Sequence, residues 1–311
     1  MISYNSPSIE IHELQDGVPI PQASHIIVDS LLFGEDFLRT QESREPFQKI
    51  FGLVHHLESL EPDISSEKRN TSINKEQRQF ISMHGLIVTS HFMKELLQKR
   101  NPCPPMITCL PGVDLKSQRP PPGSIDSGVV KILTAANFIP RKGLMEGLKS
   151  LEKFKGRWHW TIAGHQEMDD QYFKAFQQRA ESFRLTESID LTGPIPQEKL
   201  FDLFSDHHLY LSPSKFETCG MGVLESIAHG LPILAPSIGE TPYLAGSPPR
   251  GILYSPMQED GLTRSLERLF SDPTILRNLN QQAKVKHPGI KNWKQQAALL
   301  TSELDRLSLD S

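Results

Sequence analysis

Apolar positions in this chain recur in two alternating rhythms. Short runs rich in Val, Ile, Leu and aromatic residues, bounded by Gly, Pro or Asn, read as buried strands, while longer stretches with apolar residues three or four apart read as helices. In the second half the alternation is regular. It predicts strands at Val129–Ala135, Trp158–Ala163, Ile189–Leu191, His208–Ser212, Leu231–Ala235 and Gly251–Tyr254. Between and after these it predicts helices at Gly143–Phe154, Asp169–Phe183, Gln197–Phe204, Gly222–His229, Asp260–Phe270, Pro273–His287 and Asn292–Leu307. The first half offers strands at Ser8–His12, His25–Asp29, Ile50–His55, Gly85–Thr89 and Met106–Leu110, with its clearest helix at Ser90–Arg100. The stretch Pro62–Gln79 is polar and apolar-poor, and reads as either a flexible loop or a solvated helix bordering a cleft. Strands alternating with helices in this way imply an α/β protein with two doubly wound parallel sheets.

The halves separate at Ser117-Gln-Arg-Pro-Pro-Pro-Gly-Ser-Ile-Asp-Ser-Gly128, where consecutive prolines can continue neither a helix nor a central strand. The expected division is therefore a first domain at residues 1–118, a linker at 119–128, a second domain at 129–290, and a terminal helix at 291–311 packing back toward the first domain. A length of 311 residues suits two such domains, because single cores stop growing near roughly 250–300 residues. With 37% hydrophobic and 23% charged residues the composition is that of a globular protein. A net charge of −4 argues against a general nucleic-acid binder, since such domains are strongly basic. Cys103, Cys109 and Cys219 form no CxxC pair and no His/Cys cluster, so neither a metal site nor a disulfide framework is indicated. Free thiols fit a reducing cytoplasm, which is the expected location. No apolar run approaches the roughly 18 residues of a membrane span, and the polar start is not a secretory signal. Peripheral contact with a membrane stays open.

The most informative chemistry lies in Glu217-Thr-Cys-Gly-Met-Gly-Val-Leu-Glu225, two carboxylates around a Gly-x-Gly turn. The turn sits between strand candidates and opens a helix that Gly230 and Pro232 end. Gly220 and Gly222 would let the backbone approach a ligand closely, and the uncapped N–H groups of a helix start suit a phosphate. Glu217 and Glu225 would then accept hydrogen bonds from sugar hydroxyls on either side of a diphosphate. Acidic residues at helix starts also serve the macrodipole alone. The strand–loop–helix–strand setting is what favours a nucleotide-sugar pocket, because open α/β sheets bind phosphates there.

A second constellation, Leu133-Thr-Ala-Ala-Asn-Phe-Ile-Pro-Arg-Lys-Gly143, is a buried strand emptying into a basic turn. Arg141 and Lys142 stand where cations could neutralise a departing diphosphate without a metal. The same residues also read as an ordinary solvated loop.

In order along the chain stand Pro140-Arg-Lys-Gly143, Ala163-Gly-His165, Leu191-Thr-Gly193, Ser212-Pro-Ser-Lys-Phe-Glu217, Gly220-Met-Gly-Val-Leu-Glu225 and His229-Gly-Leu-Pro232. This series resembles the family-4 retaining glycosyltransferases of the GT-B fold, over nearly all of residues 129–305. The resemblance implies two Rossmann-like domains facing across a cleft, the second holding the nucleotide-sugar donor and the first mostly the acceptor. It implies that Glu217 contacts the donor sugar, Glu225 the ribose, and Lys142 the phosphates. It places the backbone of Gly220, Met221 and Gly222 on the sugar and phosphates, and Gly164 and Gly193 beside them. The family's usual Gly-Arg is replaced here by Ala136-Asn137, which leaves Arg141 as the substitute cation. In the first half, Phe51-Gly-Leu-Val-His-His-Leu-Glu58 resembles the family's strand ending in a histidine near the anomeric carbon. Strand alternation would turn His55 and His56 to opposite faces, and His55 is the one assigned to the cleft. Thr89-Ser90 and Pro111-Gly-Val-Asp114 match as structural motifs.

The resemblance thus implies a retaining hexosyltransferase-like enzyme using a UDP-, GDP- or ADP-sugar as substrate, with no cofactor and no metal. Its acceptor, whether glycan, lipid or small molecule, is not specified. The family's opening strand and glycine-rich turn have no counterpart before Asp29, so the first domain is expected to be shortened or the chain cut. That departure supports an alternative, a catalytically weak nucleotide-sugar-binding subunit of a glycosyltransferase complex. A related GT-B epimerase or phosphorylase fits the Glu217/Glu225 pattern less well.

Overall fold

The structure, a computed structural model, describes residues 25–30, 49–115, 128–283 and 289–309. Its strands form two parallel sheets. The first contains β1 (His25–Asp29), β2 (Lys49–Val54), β3 (Gly85–Val88) and β4 (Met106–Thr108), in the order β1-β2-β3-β4. The second contains β5 (Val130–Ala135), β6 (Trp158–Ala163), β7 (Ile189–Gly193), β8 (Leu209–Leu211), β9 (Ile233–Pro236) and β10 (Gly251–Tyr254), in the order β10-β9-β8-β5-β6-β7. Here the chain winds outward from β5 through β6 to β7, then returns so that β8 pairs with the free side of β5. Ile132 faces Leu209 and Leu133 faces Tyr210 across that junction.

The continuous apolar runs follow from burial on both faces, as parallel sheets require. Neighbouring residues of one strand feed opposite cores. Ile132, Leu209, Leu211 and Leu234 join a cluster with Trp158, Trp160 and Phe176. Leu133, Tyr210, Ile233 and Ala235 join another with Phe204, Val223 and Ile227. Helices α3 (Leu144–Glu152), α4 (Asp170–Ser182) and α8 (Gly261–Ser271) cover the first face, while α5 (Gln197–Asp206) and α6 (Met221–Ala228) cover the second.

Observed elements start and stop within a residue or two of most sequence boundaries, and Trp158–Ala163 and Gly251–Tyr254 coincide with them. Pro62–Gln79 resolves as helix α1 (Ser66–Phe80), started by the Ser65 side chain accepting from the Lys68 N–H at 3.2 Å. Its buried residues are Ser72, Glu76, Gln79 and Phe80. Helix α2 (His91–Gln98) follows β3, and a short α7 (Thr241–Ala245), with proline in its first turn, was not evident from periodicity. Helix α9 is described from Pro273 to Ala283. The strand candidate at Ser8–His12, residues 119–127 of the expected linker and the end of the Pro273–His287 helix lie outside the described residues.

The last helix, α10 (Trp293–Leu309), packs on the first sheet rather than the second. Its Leu304 is buried with Phe51, Ile87 and Ile107. The crossing is made at Pro111-Gly-Val-Asp114, where the Val113 N–H donates to Lys291 O at 3.0 Å and the Trp293 N–H to Asp114 Oδ1 at 3.3 Å. A Cβ on Gly112 would lie 2.3 Å from the Trp293 backbone nitrogen. No side-chain rotation relieves a clash with backbone, so Gly112→Ala should lower stability by about 1–3 kcal/mol, the cost of overpacking. Thermal denaturation should show a Tm several degrees below wild type; an unchanged Tm would mean the crossing is not tight.

Candidate active site

The loops leaving β5 and β8 diverge from adjacent strand ends and are stitched together. Phe138 anchors the first loop, fully buried with edge-on contacts to Phe173 and Phe176 at 4.9 and 5.2 Å. Asn137 ties the ends of β5 and β6, its Oδ1 accepting from the His165 N–H at 3.0 Å. The loop then tightens into the turn Pro140–Lys142 and reverses at Gly143, whose φ of 66° is left-handed. A side chain there would also strike the Pro213 carbonyl, since a Cβ would sit 2.0 Å from it. The Lys215 N–H donates to Arg141 O at 2.9 Å, closing the two loops against each other.

That stitching sets Lys142 on Glu217. The Lys142 Nζ lies 2.6 Å from Glu217 Oε1, and the Ser214 hydroxyl donates to the same oxygen at 2.8 Å. Glu217 is buried, and its carbonyl accepts from the Glu240 N–H at 3.0 Å. Gly220 follows with φ 69° and starts α6 without a side-chain cap, leaving the first amides of the helix without a local partner. Gly222 has a packing role that the sequence does not display: a Cβ there would sit 2.0 Å from the Tyr210 hydroxyl. Its glycine admits the buried tyrosine beneath the turn, whose hydroxyl donates to Ala135 O at 3.3 Å. Lys142, Glu217, Ser214, Gly220 and Gly222 line one cavity of about 20 Å³, room for about one water molecule.

Glu225 lies one turn into α6. Burial pushes its carboxyl up to about 7, although Gln197 donates a hydrogen bond that opposes the shift. Met221 is the first helical residue. Gly164 allows the ends of β5 and β6 to approach, because a Cβ would meet Ala136 O at 2.1 Å; Gly193 adopts φ 69° with open space beside it. His229 is a core residue, its ring stacked 5.0 Å from Phe204 and its Nδ1 donating to Glu225 O at 2.8 Å. Burial likewise pushes the Cys219 thiol up to about 12, so it stays protonated.

The first lobe meets this site through charged residues. Arg141, expected as a second phosphate cation, points across the cleft with its Nε 3.6 Å from Glu61 Oε1. The same carboxylate oxygen lies 2.8 Å from His56 Nε2. His55 instead faces Asp29, at 3.7 Å. His56 rather than His55 thus joins the Glu61–Arg141 contact between the lobes. The two side chains turn to different partners, and both lie beyond the end of β2 at Val54. Lys215 makes a second link, 3.9 Å from Asp63.

A third link has no sequence signal. The buried Glu240 carboxylate sits at the start of α2, accepting from the Phe92 N–H at 2.8 Å and lying 2.9 Å from His91 Nδ1. Ser90 caps the same helix at Met93, so the two lobes together satisfy its amides. Of the residues the sequence reading missed, Ser214 alone left a trace, as the start of a Ser-x-x-Glu spacing that permits its bond to Glu217. Among the described residues no group of three or more His, Cys, Asp or Glu could hold a metal ion, and no helix is long and apolar enough to cross a membrane.

Comparison with known proteins places this geometry. The fold matches sucrose-phosphate synthase from Thermosynechococcus elongatus, with a TM-score of 0.79 at 18% identity, covering 93% of this chain and 75% of that one. It also matches Anabaena HepE in complex with UDP and glucose, with a TM-score of 0.67 at 15% identity, covering 83% and 72% of the two chains. Both sheets and their order thus belong to the GT-B class of α/β fold. By sequence the chain is 23% identical over 217 residues to an MMP alpha-(1->4)-mannosyltransferase of Mycolicibacterium hassiacum, covering 68% of this chain and 51% of that protein. It is 31% identical over 127 residues to a D-inositol 3-phosphate glycosyltransferase of Thermobispora bispora, covering 40% and 29%. The chain therefore spans about half the length of the first relative and less of the second. Residues 117–286 match the model of the glycosyl transferases group 1, and with more than half of its length inside that model the chain belongs to this family of transferases.

Proposed function

We propose that this glycosyltransferase moves a sugar from a nucleotide-diphosphate sugar to a hydroxylated acceptor with retention of configuration. The observation that carries the reading is the Lys142–Glu217 pair at 2.6 Å beside the uncapped start of α6. A cation, a sugar-orienting carboxylate and a set of free amides converge there at a sheet crossover. With donor bound, the Lys142 ammonium exchanges Glu217 for phosphate oxygens and offsets the charge growing on the leaving diphosphate, together with the amides after Gly220. Glu217, released, accepts from hydroxyls of the sugar. Glu225 takes the ribose hydroxyls. The acceptor attacks from the face the diphosphate leaves, and a leaving-phosphate oxygen takes its proton. In this reading the Lys142 ammonium and the helix amides take the role a divalent ion would otherwise play, so EDTA should leave the rate unchanged.

Nucleotide release from UDP-, GDP- and ADP-sugars tests the reading directly, and thermal shift with the free nucleotides tests the pocket. If none of them shifts Tm, this reading is wrong. Lys142→Ala should reduce turnover on the order of 10²–10³-fold, as loss of one preorganised donor does. It should also lower stability by about 1–3 kcal/mol, below the figure for a fully buried pair, because the Lys142 side chain keeps 21% exposure. Lys142→Ala combined with Glu217→Ala should recover part of that stability and none of the activity. Recovery of activity in the double variant would mean the pair is purely structural.

Glu225 gives a pH prediction. Its folded value of about 7 exceeds the ordinary 4.5, so the folded protein binds the proton more tightly than the unfolded chain. The stability contributed by the neutral form is complete below pH 4.5 and is lost as pH rises through about 7. Tm measured from pH 5 to 8 should therefore fall more steeply for wild type than for Glu225→Gln. Ribose hydroxyls donating to the carboxylate favour its ionised form, so nucleotide affinity should rise with pH through this range in wild type and stay level in Glu225→Gln. Isothermal titration in buffers of different ionisation enthalpy would show the proton released.

A further inference from the structure

The turn that carries Glu217 touches the first lobe where β3 passes into α2. Phe216 meets Phe92 edge-on, with ring centroids 5.4 Å apart. Cys219 Sγ lies 3.9 Å from Thr89 O. The residue before Glu217 and the residue two after it therefore reach the opposite lobe. The Glu217 carboxylate itself faces Lys142 and Ser214 in its own.

Glu240 completes this seam and is tied to Glu217 through the backbone. Its N–H donates to Glu217 O at 3.0 Å. At Gly239, where φ is 59°, a Cβ would sit 1.9 Å from the same carbonyl, so the two loops lie backbone to backbone. At the far end the Glu240 carboxylate is 1% exposed, with His91 Nδ1 at 2.9 Å and the Phe92 N–H donating at 2.8 Å. A buried carboxylate needs its bonds kept, and the start of a helix favours its charge. Moving it away from α2 would strand that charge without partners. One residue is thus held by α2 at its side chain and by Glu217 at its main chain. We infer that Glu240 is a positioning residue, through which α2 of the first lobe sets the place of the Glu217 carboxylate in the second. Glu217 is then aimed only when the lobes are docked, and Glu240 acts without touching a substrate. What Glu217 meets rests on the transferase reading above; the mechanical link from α2 to Glu217 does not.

Two measurements on the full chain test this. The first is hydrogen exchange by mass spectrometry without ligand. Glu240→Ala should speed exchange about tenfold, the loss expected for one buried bond, in residues 90–95 and in residues 216–221 alike. The second is isothermal titration of UDP with UDP-glucose, GDP with GDP-mannose and ADP with ADP-glucose, using whichever pair wild type binds. Glu240→Ala should leave the free nucleotide's affinity within about twofold and abolish the extra affinity conferred by the sugar, and turnover should fall on the order of 10²-fold, as for a carboxylate displaced by an ångström. His91→Ala, in the lobe opposite Glu217, should give the same pattern at smaller size, and serves if the first variant does not fold. Glu240→Gln keeps an acceptor for the Phe92 N–H and should retain most of the sugar's contribution. Equal losses for nucleotide and nucleotide sugar would make Glu240 merely structural. Exchange that rises in residues 90–95 alone, or Glu240→Gln as impaired as Glu240→Ala, would also overturn the inference. If wild type binds no nucleotide, or the sugar adds nothing to affinity, the donor reading of Glu217 fails, and the exchange experiment alone decides whether Glu240 places the turn.

Discussion

Everything at the candidate active site depends on one feature of chain routing: β5 and β8 are hydrogen-bonded neighbours although the chain reaches β8 only after building β6 and β7 on the other side. Crossover connections of one hand put the helix after β5 and the helix after β8 on opposite faces of the sheet. The loops must therefore part at the strand ends, and a crevice opens between them where ligands of such sheets bind. Thr134, on β5, donates to Leu211 O on β8 at 2.6 Å, holding the two ends level. The first sheet shows no such reversal among its described strands.

Within the crevice the backbone has few degrees of freedom left. Gly143 sits against Pro213 O, Gly239 against Glu217 O, and Gly222 against the Tyr210 hydroxyl. Each contact replaces a side chain with another part of the chain, so the loops are spaced by backbone thickness. Lys142 and Glu217 are carried on these loops, 2.6 Å apart. A half-buried ion pair gains little net free energy after desolvation. That suits the proposed role, in which both partners exchange each other for a ligand.

The second domain was legible because its signals are local. Trp158–Ala163 turns Trp158, Trp160 and Ile162 into one core, and the glycines punctuating Gly220–Gly230 sit where α6 begins and ends. The first lobe was harder to read for a physical reason. Helix α1 has a helical period of burial, but the residues in the period are Ser72, Glu76 and Gln79, so hydrophobicity does not display it. The histidine pair lies beyond Val54, the last residue of β2, where strand alternation no longer fixes which side chain meets which neighbour. The Glu240 contact with His91 and Phe92 joins residues about 150 positions apart, with no motif at either end. Pairings of that kind exist only after both lobes have folded.

Glu61 is where the two lobes' chemistry meets. Its carboxylate faces His56 from its own lobe and Arg141 from the other. Burial and the nearby guanidinium both hold the His56 imidazole below its ordinary range, while Glu61 opposes them. Arg141 is thus partly neutralised by Glu61 and cannot act on a diphosphate at full strength while that contact lasts. Lys142, one residue along, is restrained in the same way by Glu217. Both cations of the basic turn are held by carboxylates, one in each lobe. A dianionic leaving group would compete with both at once, drawing Lys142 from within its own domain and Arg141 from across the cleft. Release of Glu61 from Arg141 would leave it to His56 alone, so on the proposed reading an event at the basic turn reaches the first lobe through Glu61.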